Sequence, residues 1–326
     1  MAEQSKAIEV GDLAAEAAAF DGRISQRLAA GFIPDLRRAV KCEYFYKSFW
    51  RDPQFIRLYV GKIVDTYLEL LARHCGPALR ILDVGCGAGY VSLELARNGH
   101  HVVAIDISAA NIEIARRTLA DNPFRDGFGS LRYEVQPFHE AKGEYDVVLF
   151  SVSLHHMPDV AAVVARAREL VRPGGHLLCH EPCHERFRDQ DAAQVALMRA
   201  LLALTGHWYD PTEVVPRLSD EPSFAKYVSD VRTEYVLERD PSEPEGQSPH
   251  DLEADGETML AALRRNFTER EFRPGFSFIY RLLGGIRGPE PMIRALADFF
   301  ALYDRVAVEQ YGLTPNFFSF IGQRQD

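Results

Sequence analysis

The stretch "ILDVGCGAGYVSLELA", residues 81–96, joins two conformational regimes. Ile81 to Val84 is a short apolar run suited to a buried strand, and the residues from Tyr90 onward suit a helix. Between them stand Gly85, Gly87 and Gly89, which let the backbone turn sharply and approach a ligand beside the positive end of that helix. The glycines read G-x-G-x-G, whereas a dinucleotide fingerprint reads G-x-G-x-x-G, and Tyr90 occupies the place of its third glycine. The spacing predicts a nucleotide-like ligand at the carboxyl ends of the strands and argues against a dinucleotide oxidoreductase.

Outward from this turn, short apolar runs alternate with helical segments: "LRILDVG", "VSLELARNG", "HVVAIDI", "AANIEIARRTLA", "SLRYEVQ", "YDVVLFSVS", "VAAVVARARELVRPGG" and "HLLCHEP". Continuous apolar strands separated by helices imply right-handed βαβ units and a doubly wound, mostly parallel α/β sheet covered on both faces. "VRPGG" ends a helix and predicts a strand from His176 to about His180. This disposes of a competing pattern. His180-Glu181-Pro182-Cys183-His184 matches H-E-x-x-H, but a zincin needs both histidines on one helix, and here the first ends a strand with Pro182 following.

The sequence resembles the class I S-adenosylmethionine-dependent methyltransferases, whose first motif has an acidic residue followed by G-x-G-x-G. Here it stands as Asp83-Val84-Gly85-Cys86-Gly87-Ala88-Gly89, with Asp106 at the end of "HVVAID" as the second matching position. "YDVVLFSVSLHHMPD" resembles the family's fourth strand and loop, and "ARELVRPGGHLL" its helix and turn into strand five. The resemblance covers residues 79 to 185 well and the terminal strands more loosely. It implies a seven-stranded sheet, S-adenosylmethionine as cofactor, S-adenosylhomocysteine as product, and a cofactor site of Asp83, Gly85, Cys86, Gly87, Gly89, Asp106, Ile107 and Ser151. Asp106 suits a carboxylate accepting both ribose hydroxyls. Family members often carry an acid after strand three for the adenine amino group, whereas "QPFHE" offers Phe138 or His139 there.

Methyl transfer asks mainly for an in-line nucleophile and exclusion of water, and a hydroxyl or ammonium acceptor also needs a base. Strands four and five are neighbours in such a sheet, so His155 and His156 should lie beside His180 and Glu181. His155 is the candidate base and His180 the alternative; His155 also reads as a loop residue bonded to backbone. His156 is expected near the acceptor, His180 and Glu181 read equally as lining the acceptor pocket or as supporting the residues that do, and no metal is assigned to the group. The expected reaction is O- or N-methylation of a small molecule. C-methylation and a non-catalytic cofactor-binding protein are the alternatives.

The flanks divide the chain into a helical lid (1–75), a Rossmann-like core (76–185), an inserted substrate region (186–271) and terminal strands with a helix completing the core (272–326). Three helices are expected between residues 12 and 74, the middle one carrying the aromatic run from Tyr44 to Trp50, with Tyr44, Tyr46 and Trp50 as core or lid residues. The region from Ser223 to Glu257 reads as an exposed acidic excursion, "EFRPGFSFIYRLL" and "NFFSFIGQR" as strands. Lys and Arg total 37 against 47 Asp and Glu, a net charge of −10, which excludes a field drawing the chain to nucleic acid or anionic membranes. The N-terminus lacks a secretory h-region, no apolar run reaches the roughly 18 residues of a membrane span, and five cysteines form no scaffold pattern. A cytoplasmic enzyme acting on a small-molecule acceptor is the expectation, with a homodimer as one option.

Overall fold

The apolar runs on either side of the glycine turn become the centre of a sheet in a computed structural model of the chain, which describes residues 10–42, 48–237 and 254–325. The strands are β1 (Arg80–Val84), β2 (His101–Asp106), β3 (Ser130–Val135), β4 (Tyr145–Ser151), β5 (Val171–Pro182), β6 (Thr268–Pro274) and β7 (Phe317–Gln323). Their order is β3-β2-β1-β4-β5-β7-β6. The first five are parallel, and β7 enters antiparallel between β5 and β6. Chain progression reverses between β1 and β4, so the sheet's carboxyl edge opens a crevice there, directly at Gly85 to Gly89.

The helices are α1 (Val10–Ala29), α2 (Pro53–Ile56), α3 (Lys62–His74), α4 (Tyr90–Arg97), α5 (Ala109–Ala120), α6 (Val160–Leu170), α7 (Asp189–Leu204), α8 (Glu221–Val236), α9 (Gly256–Asn266) and α10 (Glu290–Gln310). Alternate strand residues feed two cores. Ile81, Val147, Leu149, Leu178 and Phe317 pack under α3, α4, α7 and α10, while Leu82, Val84, Val148, Phe150 and Cys179 meet α6 and α9. Each fully buried Val, Leu or Phe contributes about 1.5–3 kcal/mol, so both layers are held chiefly by this alternation.

Three expectations change. Residues 35–42 are not helical, because Asp35 accepts the Arg37 backbone N–H and both Arg97 guanidinium nitrogens at 2.8 Å, which pins the chain across α4. The helix after Pro53 is interrupted by a π turn at Arg57–Gly61. "SFAKYVSDVRTEYV" is helix α8 rather than an exposed excursion: Asp220 caps the Ser223 N–H, and Tyr227, Val231 and Tyr235 form a buried i, i+4, i+8 stripe. Residues 238–253 of that stretch lie outside the described residues.

Two strand boundaries also move. β6 starts at Thr268, inside the expected insertion, and stops at Pro274. The rest of the expected strand runs through short turns because the buried Asp304 carboxyl accepts backbone N–H groups from Ser277, Phe278 and Ile279. No helix among the described residues is long and apolar enough to cross a membrane.

Candidate functional site

The glycine turn is built by backbone and is short of space on two sides. Gly85, with φ +70°, would place a Cβ 2.7 Å from Ser153 Cβ, and Gly89, with φ +80°, would place one 2.4 Å from the Tyr133 hydroxyl. Glycine is required at both by sterics and by the left-handed backbone. Gly87 differs, since nothing lies within 4 Å of where its Cβ would stand. That side of the turn is where a ligand can reach the backbone.

Asp106 ends β2 and faces this opening. Its Oδ2 accepts the Gly87 N–H at 2.7 Å and its Oδ1 the Ser108 N–H at 2.8 Å. Burial raises its pKa, against these two bonds. A carboxylate has about four acceptor sites, so two remain for hydroxyl donors. Asp83, beneath the turn, is fully buried; Ser92 donates to its Oδ2, and Oδ1 has no hydrogen-bond partner among the described residues. Burial pushes Asp83 up to about 7. Cys86 is buried and its thiol is also raised by burial. The residues present therefore fit an adenosyl cofactor: an open backbone cradle, a fixed carboxylate for ribose, and a buried acceptor lacking a donor.

On the neighbouring strands, the loop after β4 is locked onto the same turn. Ser153 Oγ donates to the Val84 carbonyl at 2.7 Å. Glu181, at the end of β5, is fully buried; its Oε1 accepts the Ser153 and Leu154 N–H groups and its Oε2 meets His155 Nδ1 at 2.8 Å. Glu181 is thus a positioning residue, the supporting one of its two expected roles, and does not face the acceptor. Since a carboxylate only accepts, Nδ1 carries the proton and Nε2 becomes the basic nitrogen of His155. The His156 ring lies 4.1 Å from that of His155.

The expected neighbourhood of the histidines is present, because Ser151 and His180 are register partners across β4 and β5. Tyr67 of α3 donates to Ser151 Oγ at 2.8 Å. His180 lies on the opposite face of β5 from Glu181, with Nδ1 2.9 Å from Ser319 Oγ and its ring stacked on Phe317. Burial lowers its pKa to about 3. His180 is on a strand and His184 on a short turn, so no helix carries the H-E-x-x-H pattern. No group of three or more His, Cys, Asp or Glu side chains among the described residues could hold a metal ion.

Other site residues scatter. Ile107 is half-buried beside Asp106. Phe138 packs its ring edge-on against Phe150, and His139 is mostly exposed. Trp50 is buried against Phe32 and Tyr90, next to the start of α4, whereas Tyr44 and Tyr46 lie outside the described residues. What the sequence reading missed is the part that α1, the first of the expected helices, plays at this edge. Its Asp21 accepts from Ser108 Oγ at 2.5 Å and from the Ala110 N–H, Glu16 sits 3.5 Å from His156 Nδ1, and Phe20 packs edge-on to the His156 ring. The helix therefore spans from the end of β2 to the loop after β4. Only acids within an alanine-rich run signalled it.

A family profile described as a methyltransferase domain matches residues 55–219. A ubiquinone biosynthesis O-methyltransferase of Aromatoleum aromaticum is 37% identical over 111 residues, covering 34% of this chain and 47% of that protein. One of Acinetobacter baylyi is 32% identical over 149 residues, covering 44% of this chain and 60% of its own length. The chain thus spans about half the length of these relatives. The crystal structure of the cyclase SpnF superposes with a TM-score of 0.50 at 15% identity, covering 96% of this chain and 95% of the other, a likeness of fold alone.

Proposed function

Because the chain belongs to the class I S-adenosylmethionine-dependent methyltransferase family, we propose that it methylates a hydroxyl group of a small molecule, with His155 as the base. The observation that carries this reading is the buried His155–Glu181 pair, whose loop is fastened to the cofactor turn through Ser153. Glu181 holds Nδ1, so Nε2 is the nitrogen that takes a proton. The name O-methyltransferase on the curated relatives supports oxygen as the acceptor atom.

S-adenosylmethionine, when bound, supplies a methyl group on a sulfonium sulfur, already a good electrophile. The chain's own residues then orient and shield. Asp106 and the Gly87 backbone hold the adenosyl end, while Glu181 fixes the imidazole and the Ser153 loop keeps it at a set distance from the turn. Helix α1, tied down at Asp21 and Glu16, covers the crevice and excludes water. His180, held neutral by burial, is the poorer base.

Isotopically labelled cofactor incubated with the enzyme and a cell extract, read by mass spectrometry, should place the label on oxygen. His155→Ala should lower turnover by about two to four powers of ten with S-adenosylhomocysteine affinity nearly intact. Label on nitrogen or carbon, or wild-type turnover in the variant, would overturn the reading.

A further inference from the structure

We propose that the acceptor is an oxygenated aromatic ring, seated at the top of β5 and β7 with one ring oxygen on His180 Nε2; this rests on the methyltransferase reading above. His180 is 2% exposed, and its Nε2 has no hydrogen-bond partner among the described residues. Buried polar atoms in native proteins nearly always find partners, so this one is aimed at a group that the fold does not supply. Ser319 can donate or accept at Nδ1, which leaves Nε2 able to serve a hydroxyl or a phenolate oxygen. Nearby, Asn316 Oδ1 is likewise buried and without a partner among the described residues.

The surroundings of that nitrogen are rings. Phe317 stacks on His180 at 5.3 Å and 7°, Tyr280 meets Phe317 edge-on at 5.0 Å, and Tyr59 stacks on Tyr280 at 5.8 Å. A flat aromatic guest can stack on such rings, whereas a puckered aliphatic ring cannot. Tyr59 lies in the π turn at Arg57–Gly61, a helix defect that recurs at functional sites. The place also suits transfer: His180 is the register partner of Ser151, two residues before Ser153, which packs on Gly85.

The test uses the full chain loaded with S-adenosylhomocysteine, with catechol and its saturated counterpart cyclohexanediol as probes in calorimetric titration. Catechol should bind and cyclohexanediol should bind at least tenfold more weakly. His180→Phe should lose catechol affinity by tenfold or more while S-adenosylhomocysteine affinity is unchanged, and His180→Gln should recover part of it. Tyr59→Leu, a milder change, should also weaken catechol selectively. If S-adenosylhomocysteine binds but the two probes bind alike, or all three variants bind catechol as the wild type does, this inference is overturned alone. If S-adenosylhomocysteine itself fails to bind, the proposed function falls with it.

Discussion

The two halves of the carboxyl edge are made differently. Around β1 and β2 the groups proposed to hold the cofactor come from one continuous stretch, Gly85 to Gly89, plus Asp106 about twenty residues later. Around β4, β5 and β7 the groups proposed to meet the acceptor are side chains drawn from residues 59, 155, 180, 280 and 317. The first half is a local backbone device that tolerates little substitution. The second is a long-range assembly whose members can be exchanged singly, which is how one cofactor scaffold serves many acceptors.

That contrast can be broken most forcefully by comparing His155→Ala with Asp106→Ala. The first should act on turnover by the powers of ten given above, the second on affinity. Asp106→Ala should weaken S-adenosylhomocysteine by about 1.5–3 kcal/mol for each charge-assisted bond lost, roughly 10- to 150-fold, while turnover at saturating cofactor largely recovers. Unchanged affinity in calorimetry would remove Asp106 from the cofactor half.

Next in size is Gly89→Ala. A Cβ would collide with the Tyr133 hydroxyl, which donates to the Gly89 carbonyl at 2.8 Å, on a backbone at φ +80°. A loss of about 1–3 kcal/mol is expected, seen as a lower Tm with or without cofactor. Gly87→Ala, at φ +51° with open space around it, should cost less stability and more affinity. Equal behaviour of the two variants would mean that the turn does not divide into a packed side and a ligand side.

A smaller effect concerns pH. Burial raises Asp83 from 3.8 to about 7, so the folded state favours its protonated form. Its contribution to stability is full below about pH 4 and is lost as pH rises toward 7. Asp83→Asn should therefore raise Tm at pH 8 relative to wild type and change it little at pH 4, while weakening cofactor binding. Asp304, raised to about 6, adds a parallel slope ending at lower pH. A Tm difference independent of pH would show that Asp83 stays ionised in the fold. The smallest effect is expected for His139→Ala: the residue is exposed on the turn after β3, and S-adenosylhomocysteine affinity should hold.

Much of the first half was legible in the sequence, and the reason is physical. Strand, glycine turn and helix are specified by neighbours in the chain, and α5, expected as "AANIEIARRTLA", spans Ala109–Ala120. Helix α8 was misread because its polar exposed face hides a stripe of Tyr227, Val231 and Tyr235 that has meaning only against α7. Residues 35–42 were misread for the opposite reason: their helical composition yields to the ion pairs of Asp35 and Arg37 with α4.

By itself, the sequence determined the doubly wound core, the glycine turn between β1 and α4, and the placing of His155, His180 and Glu181 at the ends of adjacent strands, since periodicity and glycine spacing are local properties. Only the tertiary structure decided that Glu181 turns inward to hold His155, that His180 faces the other side among rings, and that α1 reaches from Ser108 after β2 to His156 after β4 through Asp21 and Glu16. A one-residue step along a strand reverses the face that a side chain occupies, and contacts across more than a hundred residues leave no spacing to read.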